Sequence, residues 1–421
     1  MGVVGELVKK RNILAGAGPD PTGNGGLLHE HGHTRQHRSV THTHTHTQSR
    51  RDFLSKAFGG ILLGASVFEE AFFRATWARA QSPTASDNLF TIEKVADGVF
   101  AALAKPQILI NCNAAIFENS DHVVVLDAHS KPSAAASLIK QIAKEITTKP
   151  VRYLINSHFH WDHTQGDSAY KAKNSNLTVV ASETTKQLMT ELGRNRAKES
   201  LEGVPKMLDD VQAQLSQTKT ASERTYWQEQ IRQLKAYQAE MANYTPELPT
   251  LTFAKSHVLK DRAGDLHLEF HGRAHTAGDI VVFSPQKRVV ASGDMISGFL
   301  PNMGDGYPSE WPGTITSVEK LAFDQTITGH GPVQHDRARI GQLRNYIEEL
   351  TSRVQQGKKA GKSLAELQKA TTVASLKSLG SNQYAEYVAK NLDNYTVHFG
   401  ANPLESRLAG NIEAIYRREK G

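Results

Sequence analysis

The chain has 421 residues and a single cysteine, Cys112, so it can form neither an internal disulfide nor a cysteine-based zinc cluster. With 39% hydrophobic and 22% charged residues it can build a sizeable core, and no uncharged apolar run approaches the ~20 residues of a spanning helix, which excludes global disorder and a polytopic membrane protein. Of the formal charge of +6, +4 belongs to residues 1–80 and only +2 to the rest, so an almost neutral body gives no support for a nucleic-acid partner.

Residues 1–48 are expected to be a disordered, His-rich leader. They hold 7 of the 19 histidines, and the alternating run Thr41–Thr47 has no apolar face to bury as a strand. Residues 49–80 read as an export signal. Arg50 and Arg51 stand just before Phe53 and Leu54, a pattern that resembles the bacterial twin-arginine route. The uncharged stretch 57–68 has 12 residues, the length of a signal's apolar segment and too short to span a membrane. Ala78-Arg79-Ala80 offers a small-x-small cleavage site, which makes Gln81 the expected mature start. These features predict a periplasmic or secreted protein, handed to the twin-arginine machinery already folded, with no stable membrane insertion.

From residue 81 the pattern becomes that of an α/β domain. Runs at 89–95, 99–103, 108–110 and 114–117 are β-like, and Val123–Leu126 is a short apolar strand ending at Asp127. Leu138, Ile139, Ile142 and Ile146 have helical spacing, and strands follow at 151–156 and 177–181. Residues 183–247 are polar, with Val211, Leu215, Trp227, Ile231 and Leu234 at helical spacing, which predicts a helical hairpin inserted into the domain. The hairpin is read as a packing element, with a lid over the site as its functional alternative. Strands resume at 251–253, 257–259, 266–270, 280–283 and 289–292. Residues 336–421 are expected to form a helical extension.

The chemistry concentrates in Ser157-His-Phe-His-Trp-Asp-His163, directly after a predicted strand. Four metal-ligating types, His158, His160, Asp162 and His163, fall within six residues. A loop at a strand end can aim such side chains at one point. His275, Asp294 and His330 each follow another predicted strand and sit beside or near glycine, which permits tight turns.

In this ordered set the chain resembles the metallo-β-lactamase superfamily. The resemblance implies a four-layer αββα sandwich with one or two metal ions at one edge of the sheets. It implies that His158, His160 and His275 hold the first ion and that Asp162, His163 and His330 hold the second. Asp294 would bridge them, and Asp127 would orient the loop that carries the histidines. Two Zn²⁺ ions are expected, with Fe or Mn as alternatives. The implied activity is hydrolysis of a small ester, lactone, thioester or amide, a β-lactam among them, by a hydroxide bridging the metals, with Asp162 as catalytic residue. The aspartate at position 294 differs from the antibiotic-destroying branch, which usually has Cys there. A phosphodiesterase or nuclease of the same superfamily, and a non-enzymatic metal-binding module, are the alternatives. Trp161, Tyr307 and Trp311 are candidates for a substrate pocket. His122, His129, His257, His267, His271, His335 and His398 are read as ordinary structural or surface histidines, and Cys112 as a buried small apolar residue.

Overall fold

The computed structural model describes residues 89–379, 383–397 and 402–418. The expected leader of residues 1–48 and export signal of residues 49–80 lie outside them. Seven strands form one sheet in sequence order: β1 (Phe90–Ala96), β2 (Val99–Ala104), β3 (Ala114–Glu118), β4 (Val123–Leu126), β5 (Val151–Ile155), β6 (Thr178–Ser182) and β7 (Leu251–Phe253). The first four pair antiparallel, and β4 to β7 pair parallel. Five more strands form the second sheet: β8 (Ser256–Leu259), β9 (Leu266–Glu269), β10 (Val281–Ser284), β11 (Val289–Ala291) and β12 (Gln325–Ile327).

Side-chain alternation along each strand sorts the residues into layers. In β4, Val124 and Leu126 enter the core between the sheets, where they meet Val282 of β10, Ala291 of β11 and Ile327 of β12. Val123 and Val125 point the other way, onto Leu138 and Ile142 of helix α1 (Pro132–Glu145). In β10, Val281 and Phe283 point outward onto a helical layer that contains Trp311, Ile340, Tyr346 and Ile412. The order is therefore helix, sheet, sheet, helix, the αββα sandwich. Strands buried on both faces need apolar residues at every position, which is why β4 reads as an unbroken apolar run.

Two short helices, α2 (Trp161–Thr164) and α3 (Asp167–Lys173), follow β5. The insertion is a hairpin of α4 (Glu183–Gln217) and α5 (Ala221–Met241). Ser182 caps α4 by accepting from the Thr185 N–H, and a Thr220–Glu223 capping box opens α5. Val204, Val211, Trp227, Leu234 and Tyr237 give the hairpin its own core, completed by Ile108 and Leu109. The expected strand at 108–110 is a loop instead. The Ile108 N–H donates to Gln230 Oε1 of α5 at 2.9 Å, so the hairpin, not a sheet, covers this apolar segment. Beyond β11 come α6 (Trp311–Val318), α7 (Ala338–Lys359), α8 (Leu364–Ala370), α9 (Gln383–Tyr395) and α10 (Pro403–Arg418), which pack on the outer face of the second sheet. Among the described residues no helix is long and apolar enough to cross a membrane.

Candidate metal centre

Strand ends deliver the site. Asp127 follows β4, residues 157–163 follow β5, Asp294 lies in a 3₁₀ turn (Gly293–Met295) after β11, and His330 follows β12. His275 precedes β10 in a turn that Asp279 fixes by accepting from the Thr276 N–H at 2.8 Å and its hydroxyl at 2.5 Å. Ligand atoms of His158, His160 and His275 lie within 4.8 Å of one another, as do those of Asp162, His163 and His330. Asp294 stands between the two sets. Its Oδ2 is 3.3 Å from His275 Nε2, and its Oδ1 is 3.4 Å from His163 Nε2 and 3.5 Å from His330 Nε2.

The hydrogen bonds around the histidines decide which nitrogen is free. Asp127, held at a φ of 69°, accepts from the Ser157 N–H at 2.7 Å, the Ser157 hydroxyl at 2.8 Å and His163 Nδ1 at 2.8 Å. With its hydroxyl proton given to Asp127, Ser157 Oγ accepts from His158 Nδ1 at 2.9 Å. His160 Nε2 donates to Asp305 Oδ2 at 3.0 Å. Each ring therefore places its proton on the outer nitrogen and a lone pair on the inner one. His158 Nε2, His163 Nε2 and Asp294 Oδ1 are buried with no hydrogen-bond partner. His160 Nδ1 and His275 Nε2 stand 2.9 Å apart. Orphaned buried lone pairs beside carboxylates fit a cation, since they would otherwise be desolvated without compensation.

The electrostatics of His158 and His275 agree. Burial, followed by the neighbouring histidines, holds His158 well below its ordinary pKa, and burial takes His275 down to about 3, so both stay neutral and able to ligate. Burial works against ionisation of Asp294, but its neighbours His330 and His163 overcome it and hold the carboxylate well below the usual range. Asp162 is also lowered, with His163 and His330 prevailing over burial. Two glycines make room for the cluster. A Cβ on Gly329 would lie 2.1 Å from Asp294 Oδ1, and Gly293, at a φ of 51°, would place one 2.3 Å from Ser157 Oγ.

The profile of the metallo-beta-lactamase superfamily matches residues 108–326, which include all of these side chains except His330. The chain belongs to the metallo-β-lactamase superfamily. Among solved structures it is similar to a metallo-β-lactamase from Pontibacter korlensis, with 18% identity and a TM-score of 0.44 over 62% of this chain and 99% of that one. It is similar to the DIM-1 metallo-β-lactamase, with 16% identity and a TM-score of 0.44 over 62% and 97%. It is also similar to the mono-zinc form of FIM-1 from Pseudomonas aeruginosa, with 17% identity and a TM-score of 0.44 over 62% and 96%. Metallo-β-lactamase superfamily members are mostly metal-dependent hydrolases, and this chain carries His/Asp clusters able to bind metal.

Within this metallo-β-lactamase fold one pocket expectation, Trp311, needs correction. Trp311 is wholly buried: its Nε1 donates to Met295 O at 2.9 Å, and its ring backs His275 at 5.6 Å, so it is core and lines no open pocket. The ring of Tyr307 carries the guanidinium of Arg273 at 4.2 Å and that of Arg418 at 3.9 Å, which makes it a clasp between the site loop and α10. Trp161 is half-buried and packs edge-on against Tyr237 of the hairpin at 6.2 Å. Cys112 lies in a loop, not a strand, with its thiol against His163 on the Asp127 side, where burial pushes its pKa up to about 12. His129 is buried under β1, stacked on Phe90 at 4.2 Å with its Nδ1 donating to Cys112 O, and contributes no ligand. His122, His267, His271 and His335 pair with acidic or polar side chains outside the cluster, and His257 stacks on Phe253. His398 lies outside the described residues.

Asp305 and Arg196 escape the sequence reading. Asp305 accepts from His160 at 3.0 Å and from Arg196 Nη2 of α4 at 2.9 Å. Burial alone would raise its pKa, yet His160 and Arg196 hold the carboxylate well below the usual range. The pair links the inserted hairpin to a histidine of the cluster.

Proposed function

We propose that this chain is a hydrolase that works with two divalent metal ions, Zn²⁺ foremost and Fe or Mn as alternatives. The observation that carries this reading is the disposition of Asp294, which turns one oxygen to each of two donor clusters that end in orphaned lone pairs. His158, His160 and His275 would hold one ion, Asp162, His163 and His330 the other, and Asp294 both. When bound, such ions make water nucleophilic near neutral pH and polarise a carbonyl oxygen.

The chain's own residues supply the rest. Asp127 and Ser157 hold His158 and His163 in the tautomers that leave their inner nitrogens free. Asp305 does the same for His160. Asp162 turns Oδ2 to His330 Nε2 at 3.1 Å and is ionised at neutral pH, so it can orient an attacking water and take its proton. The substrates that suit this arrangement are small esters, lactones, thioesters and amides, β-lactams among them.

The test is turnover of a chromogenic cephalosporin, a thioester, a lactone and a phosphodiester by the zinc-loaded chain, with a chelator control and Asp162→Ala alongside. Chelator-sensitive turnover that Asp162→Ala abolishes supports the hydrolase reading, and the substrate that turns over assigns the branch. A phosphodiester alone would move the protein to the phosphodiesterases. No turnover of any substrate by fully metallated protein would leave a metal-binding module. We also propose export by the twin-arginine machinery on the strength of Arg50, Arg51 and the uncharged segment after them. Amino-terminal sequencing of the periplasmic form should begin at Gln81, and a protein retained in the cytoplasm would refute it.

A further inference from the structure

The histidine clusters open to solvent at His160. The side chain of His163 is wholly buried and that of His275 is 2% exposed, whereas that of His160 is 18% exposed. Exposure is higher still along the contacts that lead outward from it, at 28% for Asp305 and 24% for Arg196. These residues line the accessible side of the site.

Two contacts fix the guanidinium of Arg196 there. Its Nη2 donates to Asp305 Oδ1 at 2.9 Å, and Asp305 Oδ2 accepts from His160 Nε2 at 3.0 Å. Its Cζ stands 5.7 Å from the centre of the Phe159 ring, which itself lies 4.8 Å from the His160 ring. One carboxylate therefore separates the guanidinium from His160, and Nη2 is within about 10 Å of the inner nitrogen of that ring.

The pairing is incomplete. Arg273 and Arg288 grip Glu310 and Asp324 through both Nε and Nη2. Arg196 gives Asp305 only Nη2, and Asp305 divides its two oxygens between Arg196 and His160. Among the described residues the other nitrogens of Arg196 have no acceptor. A guanidinium carries five donors in a planar fork that matches a carboxylate, so the unused edge can receive an anion. Its separation from the cluster suits an acid group several bonds away from the scissile carbonyl.

We propose that Arg196 is an anion-recognition subsite at the mouth of the metal centre, which takes the carboxylate of an acidic ester, lactone or amide. The proposal rests on the hydrolase reading above and adds a substrate class to it. The inserted hairpin thereby contributes to specificity as well as to bracing the site.

The test compares two esters of one leaving group on the zinc-saturated full chain: the anionic mono-4-nitrophenyl ester of adipic acid and neutral 4-nitrophenyl methyl adipate. R196Q keeps a donor for Asp305 and removes the charge. The ratio of the kcat/KM values, anionic over neutral, is expected to fall about 30-fold in R196Q, chiefly through KM, and less in R196K. D305N, which disturbs His160 and keeps the guanidinium, should hold the ratio or raise it. An unchanged ratio in R196Q overturns the proposal. So does an equal fall in D305N, because the effect would then pass through His160 and the metal. If R196Q fails to fold, R196K carries the comparison. Hydrolysis of neither ester by fully metallated wild type counts against the ester-hydrolase reading instead. Calorimetric titration with adipate then decides Arg196 separately: binding by wild type that R196Q or R196K weakens more than D305N supports the subsite. No binding by wild type, or binding that the Arg196 variants leave intact, overturns it.

Discussion

Asp305 shows how much of this site depends on a single hydrogen bond. It fixes the tautomer of His160 from 145 positions away, and a lone aspartate in a polar loop has no spacing that would announce the contact. Asp305→Asn keeps the shape and removes the charge. Metal affinity of the cluster of His158, His160 and His275 should fall about 10- to 100-fold, read by competition with a chromophoric zinc chelator. The cluster of Asp162, His163 and His330 should keep its affinity. Gly329→Ala would drive a methyl group into Asp294 Oδ1, which stands 2.1 Å from where the Cβ would be. A displacement of about 1 Å at a bridging carboxylate should cost turnover about 100-fold, with metal stoichiometry reduced in parallel. His129 should reveal itself through pH. Its folded pKa is lowered to about 3 by burial, while the unfolded chain titrates near 6.5. Between these values the unfolded state holds a proton that the folded state refuses, so stability is full above pH 6.5 and falls as pH drops toward 3. Melting of the metal-free protein between pH 4 and 7 should show a shallower acid decline in His129→Gln than in wild type.

The inserted hairpin was legible as two helices because its apolar residues recur at helical spacing. Its attachment was not. Arg196 reaches Asp305, Tyr237 donates to Gln165 at 3.0 Å, and buried Lys131 donates to Gln233 Oε1 at 2.5 Å. These contacts join the hairpin to the loops after β4, β5 and β11, between partners too distant in sequence for periodicity to relate. The hairpin therefore serves as a fixed brace for the site loop. Trp227 is the largest side chain of its core, and Trp227→Ala should cost about 3–5 kcal/mol in denaturant unfolding. Hydrogen exchange in α4 and α5 should rise, and metal affinity should fall with it through Arg196. Unaltered metal affinity in a hairpin that has loosened would show that the brace is not needed.

At the scale of the molecule, metal and fold should stabilise each other. The two clusters draw their donors from the ends of β5, β11 and β12 and from the turn before β10, so bound ions tie both sheets together. A ligand held only by the folded state adds about 4 kcal/mol at a thousandfold excess over its Kd. Thermal melting should therefore rise with added Zn²⁺ and fall with chelator. In Asp294→Ala, which removes the carboxylate between the clusters, most of that metal-dependent rise should disappear.

The sequence by itself determined the layers and the donor set. Strand and helix periodicities are local properties of the chain, and His158, His160, Asp162 and His163 are close enough in sequence to announce a shared purpose. Only the tertiary structure decided what surrounds them. It sent Trp311 into the core behind His275, closed the faces of Tyr307 with two arginines, and brought Asp305 and Arg196 to the site. Each of those placements pairs residues from separate elements through a contact between side chains. Such contacts follow from how helices and sheets pack, and no pattern along the chain encodes them.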